Sequence, residues 1–252
     1  INVKGKGYRG GTNQNDFGCG PGAASAALTG AAHGGYGGNN PTSLYGVASS
    51  PAQPGSGGAG NWSGQPLADG GGVVKIDADG AVTVDGTINA DGDNGDYWHG
   101  GGASGGSVWI TCRTLAGSGT VRAAGGNGKD QASAGGGGRI AVDYNEAAQA
   151  VAGVPGVVFI AGGGASQATV AGGWQAGGLG TLYLKDNLCL AGTVRHIGQW
   201  VSPAATGSWA LSSLTISNGW LRLPSSGGFL TVTNNVYLTG GEYGYVFCER
   251  GQ

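Results

Sequence analysis

Residues Gly119–Val142 read GTVRAAGGNGKDQASAGGGGRIAV. Thr120 and Val121 begin an apolar strand, a glycine-rich excursion follows, and Ile140, Ala141 and Val142 resume strand character. The same plan occurs upstream in Gly86–Ile110, GTINADGDNGDYWHGGGASGGSVWI. It recurs more loosely in Val158–Leu184, and in a much expanded form from Ile1 to Ile76. A unit repeating after about 20–50 residues signals an architecture in which each copy buries its apolar face against the next. The segment Gly119–Val142 is therefore one rung of a solenoid with a protrusion, rather than a loop between two strands.

The strand assignments rest on alternation. Val74 and Ile76, then Val82 and Val84, alternate with polar residues, the period of two of half-buried strands. Asp79-Gly80 and Asp85-Gly86 supply turns. In Val108–Leu115 the alternation places Val108, Ile110 and Cys112 on one face and Trp109 and Arg113 on the other, so Cys112 is expected to point inward. Beyond Lys185 glycine thins out. Leu188/Leu190, Leu214/Ile216, Leu221/Leu223, Leu230/Val232 and Val236/Leu238 then read as successive short strands without excursions. The expectation is an all-β solenoid with a glycine-rich repeat region at 1–190 and further coils at 191–252. Asn145–Val151 is the one helix-favouring stretch, and it is short.

Composition narrows the class. Glycine contributes 59 of 252 residues, charged residues are 10 % and the formal net charge is −2. No basic patch suits nucleic-acid phosphates, so no nucleic-acid partner is expected. No apolar run approaches the ~20 residues of a membrane-spanning helix, so no membrane span is expected. Collagen needs glycine at every third position, and Ala23–Leu28 breaks that frame. Bare glycine segments can instead form extended three-residue-per-turn helices that lie side by side and exchange backbone hydrogen bonds. The long excursion before Gly72 is either functional or folds into such a layer, with the aromatics of His33–Gly38 and Tyr45 laid over bare glycine backbone. Because Ile1 falls inside a strand pattern, the chain reads as a processed product or a piece of a longer polypeptide. Its last residues, CERGQ, show no evident cap.

The six glycine motifs Gly71–Ile76, Thr83–Gly92, Gly101–Ile110, Gly117–Gly128, Gly135–Val142 and Gly177–Lys185 follow one another in an order that resembles the glycine-rich modules of large bacterial extracellular and surface proteins. The resemblance spans roughly residues 1–190. It implies a right-handed parallel β-helix with polyglycine-II-like excursions and an extracellular or cell-surface setting, and it brings no catalytic residues. A looser similarity is to the glycine-rich ectodomain of anaplastic lymphoma kinase-type receptors, where packed polyglycine helices form a binding module.

Candidate sites are few. Asp91, Asp93 and Asp96 are the densest acidic cluster and the candidate Ca²⁺ ligands, since a hard cation wants several oxygens on flexible backbone. The competing reading is turn aspartates. Cys19, Cys112, Cys189 and Cys248 contain no CxxC pair. They allow two disulfides in an oxidising compartment, with three connectivities, or four buried thiols. Tyr97, Trp98, Trp174, Trp200 and Trp209 are candidate contact or glycan-stacking residues, against a role covering glycine backbone. Asn61–Ser63 forms an N-glycosylation sequon. His33, His99 and His196 lie far apart, with no metal-binding spacing. Asp77, Asp79, Asp91, Asp93, Arg113 and Arg122 could gather on one face, as a polysaccharide lyase or hydrolase would need, but no spacing singles out a catalytic pair. The expected function is a non-catalytic extracellular structural or adhesive module, a subunit of a self-assembling surface filament. Its expected partners are copies of itself or other surface proteins, with no cofactor other than Ca²⁺. The alternative is a β-helix that binds or degrades polysaccharide.

Overall fold

The computed structural model describes residues 1–13, 15–60, 68–95, 99–167, 173, 175–190, 196–201, 208–223 and 229–248. In the strands beyond 199, several residues are described for their backbone only. The protein is built mostly of strands, with one helix among the described residues.

The strands stack in parallel. One sheet runs β1 (Val73–Asp77), β4 (Ser107–Cys112), β7 (Arg139–Tyr144), β9 (Thr181–Leu184), β10 (Gln199–Val201), β12 (Leu214–Leu223) and β14 (Val236–Cys248). A second, three-stranded sheet joins β3 (Thr87–Asn89), β6 (Thr120–Arg122) and β8 (Val158–Ile160). Two-stranded sheets pair β2 (Ala81–Thr83) with β5 (Thr114–Ala116), and β11 (Ser208–Leu211) with β13 (Phe229–Val232). Asn2 extends the second sheet through a parallel bridge to Asn89, as the strand character of the first residues implies.

Register aligns like with like. Val74, Val108, Ile140 and Leu182 stand opposite one another across four strands, and so do Ile76, Ile110, Val142 and Leu184. Ile88, Val121 and Phe159 form a column in the second sheet. Nearly all of these side chains are fully buried, and each contributes about 1.5–3 kcal/mol relative to exposure. Cys112 points inward as its alternation requires, and Trp109 faces outward under the Lys75 ammonium, 4.4 Å from the ring centroid. The spacing of paired residues changes along the chain. Thr87 pairs with Thr120 and Arg139 with Thr181, but Thr181 pairs with Gln199 and Gln199 with Trp220. The shortening coincides with the loss of glycine.

One local reading differs from expectation and another is met. Leu188 and Leu190 do not form a strand: the Leu188 amide donates to Asp186 Oδ1 (2.8 Å) and the Leu190 amide to Asn187 O (3.0 Å). An aspartate and an asparagine side by side turn the chain there, although Leu190 is still buried. The helix-favouring stretch is indeed α1 (Glu146–Ala152), with Asn145 as N-cap accepting from the Ala148 amide. It finishes the β2–β5 sheet, because buried Gln149 substitutes for a third strand. Its Oε1 accepts from the Leu115 amide (2.7 Å) and its Nε2 donates to Leu115 O (3.1 Å).

The glycine segments form a second layer without sheet pairing. Gly35 donates to Gly137 O (2.8 Å), Gly137 to Gly178 O (3.0 Å) and Gly178 to Tyr36 O (2.7 Å), so three extended segments close a ring of backbone hydrogen bonds. Gly135 donates to Gly126 O and Gly126 to Ala103 O in the same manner. The approach is so close that a Cβ on Gly135 would lie 1.9 Å from Ala103 O, and one on Gly136 would lie 2.1 Å from Gly35 O. The described residues of the long excursion before Gly72 fold into this layer, and a bare backbone is the condition for their packing.

Candidate functional site

The acidic candidates separate. Asp91 is nearly buried and pairs with Arg122 Nε (2.6 Å), while its other oxygen accepts from the Ala124 amide (2.7 Å). Asp93 lies 3.7 Å from Lys4 Nζ. Asp96 lies outside the described residues. Among the described residues no group of three or more His, Cys, Asp or Glu is placed to hold a metal. Asp91 therefore has a structural partner that ties two adjacent rungs together. Asp77, Asp79, Arg113 and Asn145 do meet, lining an open groove of about 390 Å³, whereas Arg122 and Asp91 pair elsewhere.

Of the aromatic candidates, Tyr97, Trp98 and Trp174 lie outside the described residues, as does the sequon Asn61–Ser63. Trp200 and Trp209 sit on β10 and β11 and are described for their backbone only. The aromatics that do cover glycine backbone are others. The Tyr8 ring lies against Gly20, and Tyr45 against Gly22.

The disulfide expectation is corrected for three of the four cysteines. Cys19, Cys112 and Cys189 are free thiols. Cys19 is exposed beside Arg9 Nη2 (3.7 Å), remote from the core that holds the other two. Burial pushes the Cys112 thiol up to about 11 and the Cys189 thiol up to about 12. Both remain protonated and unreactive at neutral pH. Cys248 is described for its backbone only. The hydroxyl of buried Tyr144 hydrogen-bonds to Asp186 Oδ1 beside Cys189, which closes this end of the core.

A polar cluster that the sequence does not announce lies where the glycine layer meets the outer face of β7. Residues 44–54 cross that face as a strap. The strap is tied down by Ser107 Oγ donating to Gln53 O (2.6 Å) and by the Tyr45 amide donating to His33 O (3.3 Å), and the Tyr45 hydroxyl closes it on itself through Pro54 O (2.6 Å). Beneath it Arg139 is 6 % exposed. Its Nε donates to Tyr45 O (2.8 Å) and its Nη1 to Thr181 Oγ1 (3.1 Å). Register explains the second contact, because Arg139 and Thr181 are paired residues of β7 and β9. Desolvation lowers the Arg139 pKa from its usual value. None of the ion pairs among the described residues includes it.

His33 stands next to this guanidinium, fully buried and stacked on Tyr45 with ring centroids 4.4 Å apart. Its Nδ1 lies 2.7 Å from Gly105 O. Burial, with Arg139 adding to it, holds the imidazole down to about 4, so it is neutral at pH 7. The Gly105 carbonyl can only accept, so the proton sits on Nδ1 and Nε2 carries a lone pair. That Nε2 has no partner. The signal available in the sequence was an arginine entering a strand directly from a run of four glycines. Its partners Tyr45 and Thr181 lie 94 and 42 positions away, and no local pattern reveals them. No family model, no curated protein and no solved structure matches this chain.

Proposed function

We propose that the chain is a non-catalytic structural or adhesive module of the cell surface or extracellular space, a right-handed β-solenoid whose glycine excursions pack as polyglycine-II-like helices, and that copies join end to end into a filament. The observation that carries this reading is the pair of open margins of the seven-stranded parallel sheet. Among the described residues β1 and β14 each have a neighbour on one side only. A parallel edge presents unpaired amides and carbonyls that another strand can complete. At the β14 margin Val236, Tyr237 and Leu238 are each about half exposed, and at the β1 margin Val73 is 36 % exposed. Placing β1 of one copy on β14 of the next would continue the columns of the sheet, and a heterologous contact of this kind propagates without closing. The glycine-rich bacterial surface modules that the motif order resembles support the setting. Low charge and the repeated glycine units support a structural role. No described helix is long and apolar enough to cross a membrane.

Light scattering and electron microscopy of the purified chain test this reading. Concentration-dependent linear assemblies are expected, with Leu238→Lys lowering assembly by about tenfold or more through an unpaired charge at the contact. A strictly monomeric particle that adheres to no surface would overturn it.

A further inference from the structure

Among the described residues the backbone of the strap is tied to the rest of the molecule at two places. At Tyr45 the amide donates to His33 O (3.3 Å) and the carbonyl accepts from Arg139 Nε (2.8 Å). At Gln53 the carbonyl accepts from Ser107 Oγ (2.6 Å). Between them residues 46–52 make no backbone hydrogen bond among the described residues. Gly46, Val47 and Gln53 are exposed, and no residue from 44 to 54 carries a charge. The other walls around buried His33 are fixed. Gly105 is held in the glycine layer, its amide donating to Gly136 O (3.0 Å), while its carbonyl takes the His33 Nδ1 proton (2.7 Å). Arg139 stands in β7, which is paired with β4 on one side and β9 on the other. The charged and titratable groups facing the imidazole are thus Arg139 from β7 and Tyr45 from the strap. Burial pushes the Tyr45 phenol up to about 12, so it stays neutral, and no carboxylate is paired with Arg139 among the described residues.

We propose that residues 44–54 are an acid-released strap, closed while His33 is neutral and opened by a proton on its Nε2. Because Nδ1 already carries a proton toward Gly105, a second proton can enter only at Nε2. There it meets no hydrogen-bond partner and stands beside a guanidinium. The closed cluster would then hold two adjacent buried cations without a counter-charge, which is costly. Gly105 and Arg139 cannot withdraw without breaking layer bonds or sheet pairing, whereas the strap can lift by giving up two points of attachment. Water then reaches both cations. In acid the protein presents a guanidinium and an imidazolium where at neutral pH it presents an uncharged segment. The strap crosses β7, the third strand of the sheet, and not its β1 or β14 margin, so this device and end-to-end assembly stand or fall separately.

The test is hydrogen exchange of the full chain at pH 7 and pH 4, expressed as protection relative to an unstructured peptide at the same pH. Under the strap His33 is held down to about 4, against a usual 6.5, so opening should become about a hundredfold more favourable over that interval. The Tyr45 amide is expected to lose protection by that factor while the Ile110 amide of β4 keeps its own. In His33→Gln the protection of Tyr45 is expected to be the same at both pH values. Ser107→Ala, a smaller change that removes the tie at Gln53 and touches neither cation, supplies a second reading. It is expected to lower Tyr45 protection about fivefold at both pH values. By reciprocity the His33 ring, followed by ¹⁵N NMR, should then titrate about 0.7 pH unit higher, because a looser strap admits the proton sooner. The proposal is overturned if Tyr45 protection is unchanged between pH 7 and pH 4, if it falls only in step with Ile110, or if Ser107→Ala leaves the His33 titration where it was.

Discussion

The strand stack and the glycine layer lie side by side and are held by opposite means. In the stack, side chains do the work: Val74, Val108, Ile140 and Leu182 form a dry column, and the backbone pairs as parallel sheet. In the layer there is almost no side chain to bury. Gly35, Gly137 and Gly178 instead satisfy one another's backbone groups across segments brought together from far apart in sequence. A buried amide must be paired in either case. The comparison shows that a layer can be solid without an apolar core, provided that nothing stands between its backbones. The stack should therefore tolerate trimming of its side chains, and the layer should tolerate no addition.

The sharpest break between the two is Gly135→Ala. Its added methyl would sit 1.9 Å from Ala103 O, a backbone atom that is itself bonded into the layer. No rotamer relieves the clash, so two segments must separate and their hydrogen bonds stretch. A loss of more than about 4 kcal/mol, or failure to fold, is expected in urea unfolding. Ile140→Val, at the centre of the stack, should cost only about 1 kcal/mol. Similar losses at the two sites would dissolve the distinction.

Acid should act next, at two buried histidines in different parts of the molecule. His33 is buried in the glycine layer, and His196 packs on Phe159 of β8 with its Nδ1 accepting from the Phe159 amide (3.0 Å). Burial holds both imidazoles down to about 4, against a usual value of 6.5. Between those values the unfolded chain binds more protons than the fold. Stability is then full above about pH 6.5, falls as pH drops toward 4 and levels off below, by at most about 3 kcal/mol per histidine. Asp16, which the Arg9 side chain holds down to about 2, titrates below that window. Urea midpoints measured from pH 7.5 to 4 check the slope, and a flat profile would show that neither histidine is sealed from solvent.

Legibility in the sequence also divides along this line. The stack was readable because alternation is local: Val108, Ile110 and Cys112 announce their face within five positions, and the 33-residue step from Thr87 to Thr120 repeats in the ladder. The existence of a glycine layer was readable from composition, but its contacts were not, since a glycine run carries no mark of which other run it will meet. The same limit hid the polar cluster. Arg139 and His33 become neighbours only because the excursion containing His33 returns over β7, which no spacing encodes. The cysteines misled for a related reason. Their number suited two bridges, yet Cys112 and Cys189 serve as small apolar residues in the core, and Cys19 lies in the other layer.

A smaller effect is expected where the stack changes character. Gln149 of α1 satisfies both the amide and the carbonyl of Leu115, at the edge of β5 where a third strand would otherwise pair. Gln149→Ala leaves both groups buried and unpaired, at a cost of about 1–3 kcal/mol. Hydrogen exchange gives the more specific readout, because the Leu115 amide should lose its protection while Val121, in the second sheet, keeps its own. Unchanged exchange at Leu115 would mean that the side chain fills space rather than ending a sheet.

The smallest effects separate the reasons for keeping a glycine at all. Nothing lies within 4 Å of a Cβ on Gly80, which turns the chain between β1 and β2 without a left-handed φ. Gly80→Ala should change stability by less than about 0.5 kcal/mol. Gly153, which ends α1, has the same open space but sits at φ 85° and ψ −175°, a region that side chains avoid. Gly153→Ala should therefore cost about 1–2 kcal/mol from backbone strain alone. With Gly135→Ala above both, the three substitutions form a series in which the same methyl meets no obstacle, a conformational obstacle, and a backbone. If urea midpoints rank them otherwise, close approach is not what the glycines of the layer are for.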